Sequence, residues 1–199
     1  MLSLQSKTFC VFGLRGSGKS TLLNGIATHF GSKALVYDTL HEVPEAAAYF
    51  SYPPRDRYSV SELNDVITGV LAVRRFELFV IDEANRFCPS KPAPLPQKVT
   101  DLNDMCRHYG LGVGYVARRP VQLNQDLTEL AEYLFIFHLG GKSDVSYLND
   151  ISQGLGDAVL ALPNFYFVLV SPDRSYEVYD PITPDQTWLG RRKAAPARA

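Results

Sequence analysis

The sequence predicts an α/β domain in which a mainly parallel β-sheet is flanked by helices. Three observations support this prediction. Apolar runs of strand length alternate with longer segments of helical periodicity, which is the order expected of β–α–β units. A glycine-rich stretch joins the first such run to the first helical segment. Near the other end, two apolar runs flank Pro172-Asp173-Arg174 and predict a C-terminal β-hairpin.

The first elements follow from local pattern. A buried strand is predicted over Lys7–Phe12, and a helix follows the glycine-rich loop. Ala34–Asp38 is the next predicted strand, whereas residues 41–58, rich in Pro, Tyr and Ala, are predicted to be irregular. A helix capped by Ser59 or Ser61 comes next. Its apolar face contains Leu63, Val66, Ile67, Val70 and Leu71.

The second half of the chain continues the alternation. A buried strand from Phe76 ends in Asp82 and Glu83, and four prolines between residues 86 and 96 predict a loop. The helix predicted over 99–109 is closed by Gly110, and the helix predicted over 143–151 is expected to be capped by Ser143 or Asp144. The remaining predicted elements are a helix over 99–109, a strand over 111–117, a helix over 123–132, a strand over 134–139, a helix over 143–151 and hairpin strands over 165–170 and 175–179.

Composition limits the class of protein. With 199 residues, 46% of them hydrophobic, the chain most simply forms one domain with a substantial core. The domain is predicted to span residues 1–188, and the basic segment 189–199 is predicted to be a flexible tail, with DNA contact as the alternative. No apolar run is long enough for a membrane span, and the start lacks the pattern of a secretory signal.

The net charge bears on nucleic-acid binding, and the cysteines bear on the cellular compartment. The formal net charge of −1 argues against a monomeric module that binds nucleic acid through bulk positive charge, but it allows a ring whose pore collects a few cations from each subunit. Cys10, Cys88 and Cys106 are scattered without metal-ligand spacing, and Cys10 falls in a predicted core strand. An intracellular, reducing compartment is therefore expected.

The glycine-rich stretch Gly13–Ser20 matches a phosphate-binding loop. Every fixed position of G-x-x-x-x-G-K-[ST] is filled, and the strand–loop–helix setting is the one that this motif requires. Backbone N–H groups in such a loop surround phosphate, and the helix N-terminus adds partial positive charge. The residues expected to bind nucleotide are Gly13, Arg15, Gly16, Ser17, Gly18, Lys19, Ser20 and Thr21.

Catalytic roles follow from the chemistry of this motif and of the two acids that end the third predicted strand. Lys19 is expected to reach the β- and γ-phosphates, while Ser20 and Asp82 are expected to hold Mg²⁺ and its water shell. Glu83, one residue further on, is expected to orient and polarise the attacking water. The alternative is that Asp82 and Glu83 mark an ordinary exit from a strand. The phosphate loop together with Asp82 and Glu83 favours a P-loop NTPase that hydrolyses ATP with Mg²⁺. A small P-loop kinase is less favoured, because the sequence shows no arginine-rich lid.

Hydrolysis by such a site needs one further cation at the γ-phosphate. In well-studied NTPases an arginine from a neighbouring subunit often supplies it, with a gain of roughly 10³–10⁵ in rate. The spacing of the sequence leaves four candidates open, namely Arg86, Arg107, Arg118 and Arg119.

The stretch from Cys106 to Pro120, which reads C-R-H-Y-G-L-G-V-G-Y-V-A-R-R-P, resembles the FtsK–HerA superfamily of DNA-pumping ring ATPases. Members tend to read Arg-Ala-x-Gly, a hydrophobic strand and then Ala-Thr-Gln-Arg-Pro. With the phosphate loop and the Asp82-Glu83 strand in the same order, the resemblance covers about residues 7–181. The sequence is most similar to genome-packaging ATPases of membrane-containing icosahedral viruses. It is more loosely similar to zonula-occludens-toxin-like proteins of filamentous phage assembly.

This resemblance implies a RecA-like P-loop ATPase domain and assigns two arginines. Arg107 takes the place of the arginine finger that acts across the subunit interface; the alternative is a helix-surface arginine paired with a nearby acid such as Asp101 or Asp104. Arg118 stands where the family has a sensor glutamine. Glutamine both donates and accepts hydrogen bonds, whereas arginine only donates, so Arg118 is expected to contact phosphate as a cation.

The function implied by the resemblance is a hexameric ring motor that hydrolyses ATP to translocate double-stranded DNA into a viral capsid. The implied partners are double-stranded DNA, other copies of the chain, and a capsid or membrane-vertex protein, in the host cytoplasm or in the virion. Candidate DNA-contacting segments are the loop with Arg86, Lys91 and Lys98 and the turn Gly140-Gly141-Lys142. The alternatives are a nucleotide-gated phage assembly or export factor and, less well supported, a small P-loop kinase.

Overall fold

A computed structural model describes residues 3–183 of the chain. Within that range the strands are β1 (Thr8–Phe12), β2 (Ala34–Tyr37), β3 (Phe50–Tyr52), β4 (Leu78–Ile81), β5 (Gly112–Ala117), β6 (Tyr133–Phe137), β7 (Phe167–Val170) and β8 (Tyr176–Tyr179). The helices are α1 (Lys19–Phe30), α2 (Val60–Val73), α3 (Gln97–Met105), α4 (Gln125–Leu130), α5 (Lys142–Ile151) and α6 (Leu155–Leu160).

The eight strands form one sheet in the order β3-β2-β4-β5-β1-β6-β7-β8. Every pair from β3 through to β6 is parallel, and only the β6–β7 and β7–β8 pairs are antiparallel. The prediction of a mainly parallel sheet with a C-terminal hairpin is therefore confirmed. β1 lies in the middle of the sheet and all five of its residues are buried, as expected for a strand covered on both faces.

Successive side chains of the strands point to opposite faces of the sheet and form two separate hydrophobic clusters. Phe9 and Val11 of β1 belong to the cluster that α1 covers, while Cys10 and Phe12 belong to the cluster on the opposite face. α2 to α6 all contribute buried residues to that second cluster. The burial of Cys10 agrees with the prediction of a small core residue, and Cys88 and Cys106 are buried free thiols as well.

The structure corrects several predicted boundaries. β3 falls within residues 41–58, which were predicted to be irregular, and α6 was not predicted. β3 is a short, largely exposed edge strand and α6 has six residues, so neither has enough apolar repeats to give a periodic signal. The predicted helix over 99–109 begins instead at Gln97 and passes into a 3₁₀ turn at Cys106.

Helix caps were predicted with mixed success. Ser59 caps α2, because its Oγ accepts a hydrogen bond from the N–H of Glu62 at 3.1 Å, and Ser61 lies inside the helix. The predicted cap of α5 by Ser143 or Asp144 is wrong. α5 begins at Lys142, so both residues lie inside the helix and Gly141 occupies the cap position without a side-chain bond; the carboxylate of Asp144 pairs with Arg119.

Two further predictions concern membrane spans and the C-terminal tail. In the stretch from residue 3 to residue 183, no helix has the length and apolar character needed to cross a bilayer. The predicted tail, residues 189–199, and the last residues of the predicted domain lie outside the described range.

Candidate active site

Parallel pairing brings the predicted site residues to one edge of the sheet. β1 aligns Phe12 with Ala117 of β5, and β4 aligns Ile81 with Tyr115 of the same strand. The residues that follow these three strands therefore lie side by side. The N–H of Gly13 donates to the carbonyl of Arg118 at 3.2 Å, which joins the start of the phosphate loop to the end of β5.

Two glycines give the phosphate loop its shape. Gly16 has φ of +78° and Gly18 has φ of +107°, both in the left-handed region that side chains with a Cβ rarely adopt. Gly13 is constrained by space instead, since a Cβ there would stand 2.8 Å from the Cβ of Phe137. α1 begins directly after Gly18 and has no acidic residue in its first turn, so its positive end faces the loop without a competing carboxylate of its own.

Lys19 lines a cleft of about 530 Å³ next to this loop. Its Nζ donates to the carbonyl of Leu14 at 3.0 Å. Burial lowers the pKa of Lys19, and the nearby charges of Asp82 and Glu83 oppose that shift. The cleft is lined by Arg15, Gly16, Lys19, Ser20, Leu23, Leu40, Glu42, Asp82, Glu83, Val116 and Arg118. Leu23, Leu40, Glu42 and Val116 are lining residues that cannot be recognised from the sequence, because nothing in their local pattern marks them.

The other predicted nucleotide-binding residues lie in or beside the cleft. The Oγ of Ser17 is buried and has no hydrogen-bond partner in the part of the chain that is described. Ser20 also lines an adjoining cavity of about 230 Å³, which Thr21, Asn24 and Tyr49 border on the side toward β2.

Asp82 follows β4 and is fixed through its backbone. Its N–H donates to the carbonyl of Tyr37 at 3.1 Å, and its carbonyl accepts from the hydroxyl of Thr39 at 2.7 Å. Burial, with a smaller contribution from the charge of Glu83, raises the pKa of Asp82 from 3.8 to about 6. The carboxylate is thus destabilised by its surroundings, and a cation beside it would relieve that cost.

Glu83 is held between two guanidinium groups. It has φ of +49° and is 8% exposed. Its Oε1 accepts from Nε of Arg118 at 3.1 Å, and its Oε2 lies 3.8 Å from Nε of Arg86. Both arginines are among the cations that the sequence offers as candidates, but their contacts with Glu83 are not evident from it. Arg118 reaches Glu83 from the end of another strand, whereas Arg86 lies three residues after Glu83 in the same turn.

Arg119 does not line the cleft; it joins two elements of the fold through an ion pair. Its Nε donates to Asp144 Oδ2 at 2.7 Å, and its Nη2 donates to the hydroxyl of Ser143 at 3.0 Å. Since Asp144 is only 1% exposed, this ion pair anchors the start of α5 against the end of β5.

Arg107 lies at the opposite edge of the sheet. It precedes β5, whose six residues separate it from Arg118 by roughly 17 Å along the strand. Its Nη2 is 3.1 Å from Glu132 Oε1, which also accepts from Nζ of Lys7 at 2.8 Å. Arg107 is thus an exposed arginine paired with an acid, as the alternative expects, but the acid is Glu132 and not Asp101 or Asp104. The side chain is 67% exposed and does not reach the cleft of its own chain.

Comparison with known proteins gives a consistent result at the level of structure. No family model matches the chain, and no curated protein matches it in sequence. The genome packaging NTPase B204 from Sulfolobus turreted icosahedral virus 2, in complex with AMPPCP, has 17% identity and a TM-score of 0.75, over 91% of this chain and 100% of that chain. The DNA-packaging ATPase B204 from Sulfolobus turreted icosahedral virus gives 16% and 0.77 with the same coverage.

The N-terminal domain of zonular occludens toxin from Neisseria meningitidis is more distant, with 12% identity and a TM-score of 0.54 over 89% of this chain and 95% of that chain. At these identities the likeness establishes the fold. The chain has the fold of P-loop NTPases, and the resemblance to viral packaging ATPases inferred from the sequence is confirmed in that respect.

The raised pKa of Asp82 predicts a pH-dependent stability. A carboxyl whose pKa is higher in the folded state favours folding at low pH, and that contribution is lost as pH rises through about 6. Without nucleotide or Mg²⁺, Asp82→Asn should therefore raise the free energy of unfolding by about 1–3 kcal/mol at pH 8, and by much less at pH 4. Denaturant titrations at both pH values measure this.

Asp101→Asn is the matched control. Hydrogen bonds from Gln97 and Lys98 lower the pKa of Asp101, so its loss should leave the protein no more stable at pH 8. Equal stability of Asp82→Asn and the parent protein at pH 8 would contradict the description of a strained Asp82 carboxylate.

Proposed function

We propose that this protein is a Mg²⁺-dependent ATPase that works as a ring and moves double-stranded DNA. One observation carries the proposal. The phosphate loop, Asp82, Glu83 and Arg118 meet at one edge of the sheet, while Arg107 stands exposed at the other edge. A second copy of the chain is needed to bring both sets together.

The residues of the cleft fit a nucleoside triphosphate with Mg²⁺. Loop N–H groups, the unpartnered hydroxyl of Ser17 and the ammonium of Lys19 all suit phosphate oxygens. Ser20 and Asp82 supply the oxygen ligands that Mg²⁺ prefers, and Mg²⁺ when bound neutralises charge on the phosphates. Glu83 then orients water toward the γ-phosphate and receives its proton.

The Arg118–Glu83 ion pair defines the resting state of the site, that is, its state before ATP binds. In that pair the carboxylate accepts a hydrogen bond from Arg118 and is turned toward a cation instead of toward water. A γ-phosphate entering beside Lys19 offers Arg118 a more highly charged partner. We infer that Arg118 exchanges Glu83 for phosphate when ATP binds, which frees Glu83 for catalysis.

A composite site accounts for Arg107. Its guanidinium is tethered to Glu132 at a partly exposed position, where an ion pair is worth little and exchanges readily. In a ring, the amino edge of one subunit would face the cleft of the next, and Arg107 would supply the remaining cation at the γ-phosphate. A closed hexamer is the arrangement that the resemblance suggests.

The DNA-moving role is supported by the likeness to viral DNA-packaging ATPases. Among the two candidate segments, the loop after β4 has its cations paired, with Lys91 2.7 Å from Asp126 and Lys98 3.0 Å from Asp101. Exposed Lys142 in the turn after β6 is therefore the better candidate for DNA phosphate. A capsid or membrane-vertex protein would complete such a motor, in the virion or the host cytoplasm.

A nucleotide-gated assembly or export factor is the second candidate. The likeness to a zonular occludens toxin domain supports it, although with a lower TM-score than the packaging ATPases. The ATPase rate with and without linear duplex DNA separates the two, since a motor should be stimulated by DNA and an assembly factor should not.

Mixing two inactive variants tests the composite site. Glu83→Gln should bind ATP without turnover, and Arg107→Ala should lack the cation that its neighbour requires. Mixed rings contain interfaces that pair an intact Glu83 with an intact Arg107, so turnover should recover to roughly a quarter of the parent rate at a 1:1 ratio, the share expected for random mixing at an interface between two subunits.

The control is a mixture of Glu83→Gln with Lys19→Ala. Both variants damage the same side of the interface, so no mixed interface is intact and no recovery is expected. Absence of recovery in the first mixture as well would refute the role of Arg107 across the interface.

Replacing Arg118 tests the resting state. Arg118→Gln removes the ion pair and should raise DNA-independent turnover about fivefold, which corresponds to the ~1 kcal/mol of a partly exposed pair. Arg119→Gln makes the same charge change next to it, but its side chain holds Asp144, so turnover should not rise. If Arg118→Gln is as slow as Glu83→Gln, Arg118 is required for chemistry and does not restrain Glu83.

A further inference from the structure

Phe165 occupies a backbone position that a bulky residue rarely adopts. It lies in the turn between α6 and β7, where the N–H of Tyr166 donates to the carbonyl of Pro163 at 3.3 Å. Phe165 is the third residue of this turn and has φ of +69°. A positive φ at this position normally selects glycine or asparagine, and it is a true outlier for an aromatic residue.

Packing does not compensate for this conformation. The Phe165 side chain is 53% exposed, whereas Phe137 and Phe167 nearby are 2% and 0% exposed. An exposed aromatic ring gains little from burial, so the hydrophobic core offers no reason for phenylalanine here. Strained backbone that the fold does not need is most often found where a ligand binds.

The ring lies against the phosphate loop. Its Cδ1 is 3.7 Å from the point where a Cβ on Gly18 would stand, and Cε1 of Phe137 is 3.1 Å from the same point. β7 runs antiparallel to β6, so the turn that precedes β7 reaches the same edge as the loop. Phe165 thus borders the phosphate loop on the β6–β7 side, whereas Asp82 and Glu83 follow β4, beyond β5 on the other side of β1.

We propose that Phe165 is the platform on which the base of the nucleotide stacks. The inference rests on the proposed nucleotide site and adds a base-recognition subsite to it. With the phosphates held between the loop and the acids, the base extends past Gly18 toward the exposed ring, where a flat π-face and an apolar edge are available. A purine gains more from this contact than a pyrimidine, because it offers a larger face.

The smaller cavity toward β2 is the competing position for the base. It is lined by Thr21, Asn24 and Tyr49 and lies on the other side of α1. The hydroxyl of Tyr49 already donates to Asn24 Oδ1 at 3.1 Å, and Tyr49 is 8% exposed, so its ring is committed to packing. Phe165 has the freer aromatic face.

The experiment measures binding by titration calorimetry in the Glu83→Gln background, where nucleotide is not consumed. Phe165→Gly should weaken MgATP binding roughly tenfold, the scale of one base–aromatic stack, and weaken MgCTP binding less. Binding of Mg²⁺ with inorganic tripolyphosphate, which has no base, should stay within about twofold of the parent. The melting temperature should be unchanged or higher, since glycine suits the turn. Phe165→Trp should retain MgATP affinity.

Each other outcome overturns the inference in a distinguishable way. Equal loss of MgATP and tripolyphosphate would show that Phe165 supports the loop and not the base. Unchanged MgATP binding in Phe165→Gly, with a loss in Asn24→Ala, would place the base in the smaller cavity. If the parent binds neither MgATP nor tripolyphosphate, the proposed function itself fails.

Discussion

The parallel pairing of β1 with β5 and of β5 with β4 is the constraint on which the site depends. Parallel strands that share a register end at the same edge, so whatever follows them in the chain is brought together. The phosphate loop follows β1, Asp82 and Glu83 follow β4, and Arg118 follows β5. The same geometry leaves Arg107 at the amino edge. The sheet therefore holds Arg107 away from the cleft of its own chain, and in the proposed function a neighbouring copy would bring an equivalent arginine to that cleft.

The electrostatics of the cleft favour a charged ligand. Burial lowers the pKa of Lys19 and raises that of Asp82, so the charged form of each is disfavoured. A triphosphate brings negative charge to Lys19, and Mg²⁺ brings positive charge to Asp82. Binding would relieve both costs in one step, and it would also give Arg118 a partner stronger than Glu83.

Sequence patterns predicted the parts of the site that lie within one segment. The phosphate loop has fixed spacing, and Asp82-Glu83 ends a clearly apolar strand, so both motifs can be located directly after strands from the sequence alone, and the structure has them there. Contacts between segments were not predictable. Arg118 and Glu83 are 35 positions apart, and their meeting depends on strand register. The pairing of Arg107 with Glu132 and of Arg119 with Asp144 has the same origin, and β3 was missed because an edge strand of three residues, two of them exposed, carries no periodic signal.

The central claim is that ATP is hydrolysed between copies of this chain, and turnover per subunit as a function of protein concentration tests it most directly. Particle mass is recorded in parallel with a non-hydrolysable ATP analogue. Hydrolysis between copies predicts negligible turnover at concentrations where the protein is monomeric, and a steep rise that coincides with assembly. Constant turnover per subunit from a protein that stays monomeric with nucleotide bound would contradict it.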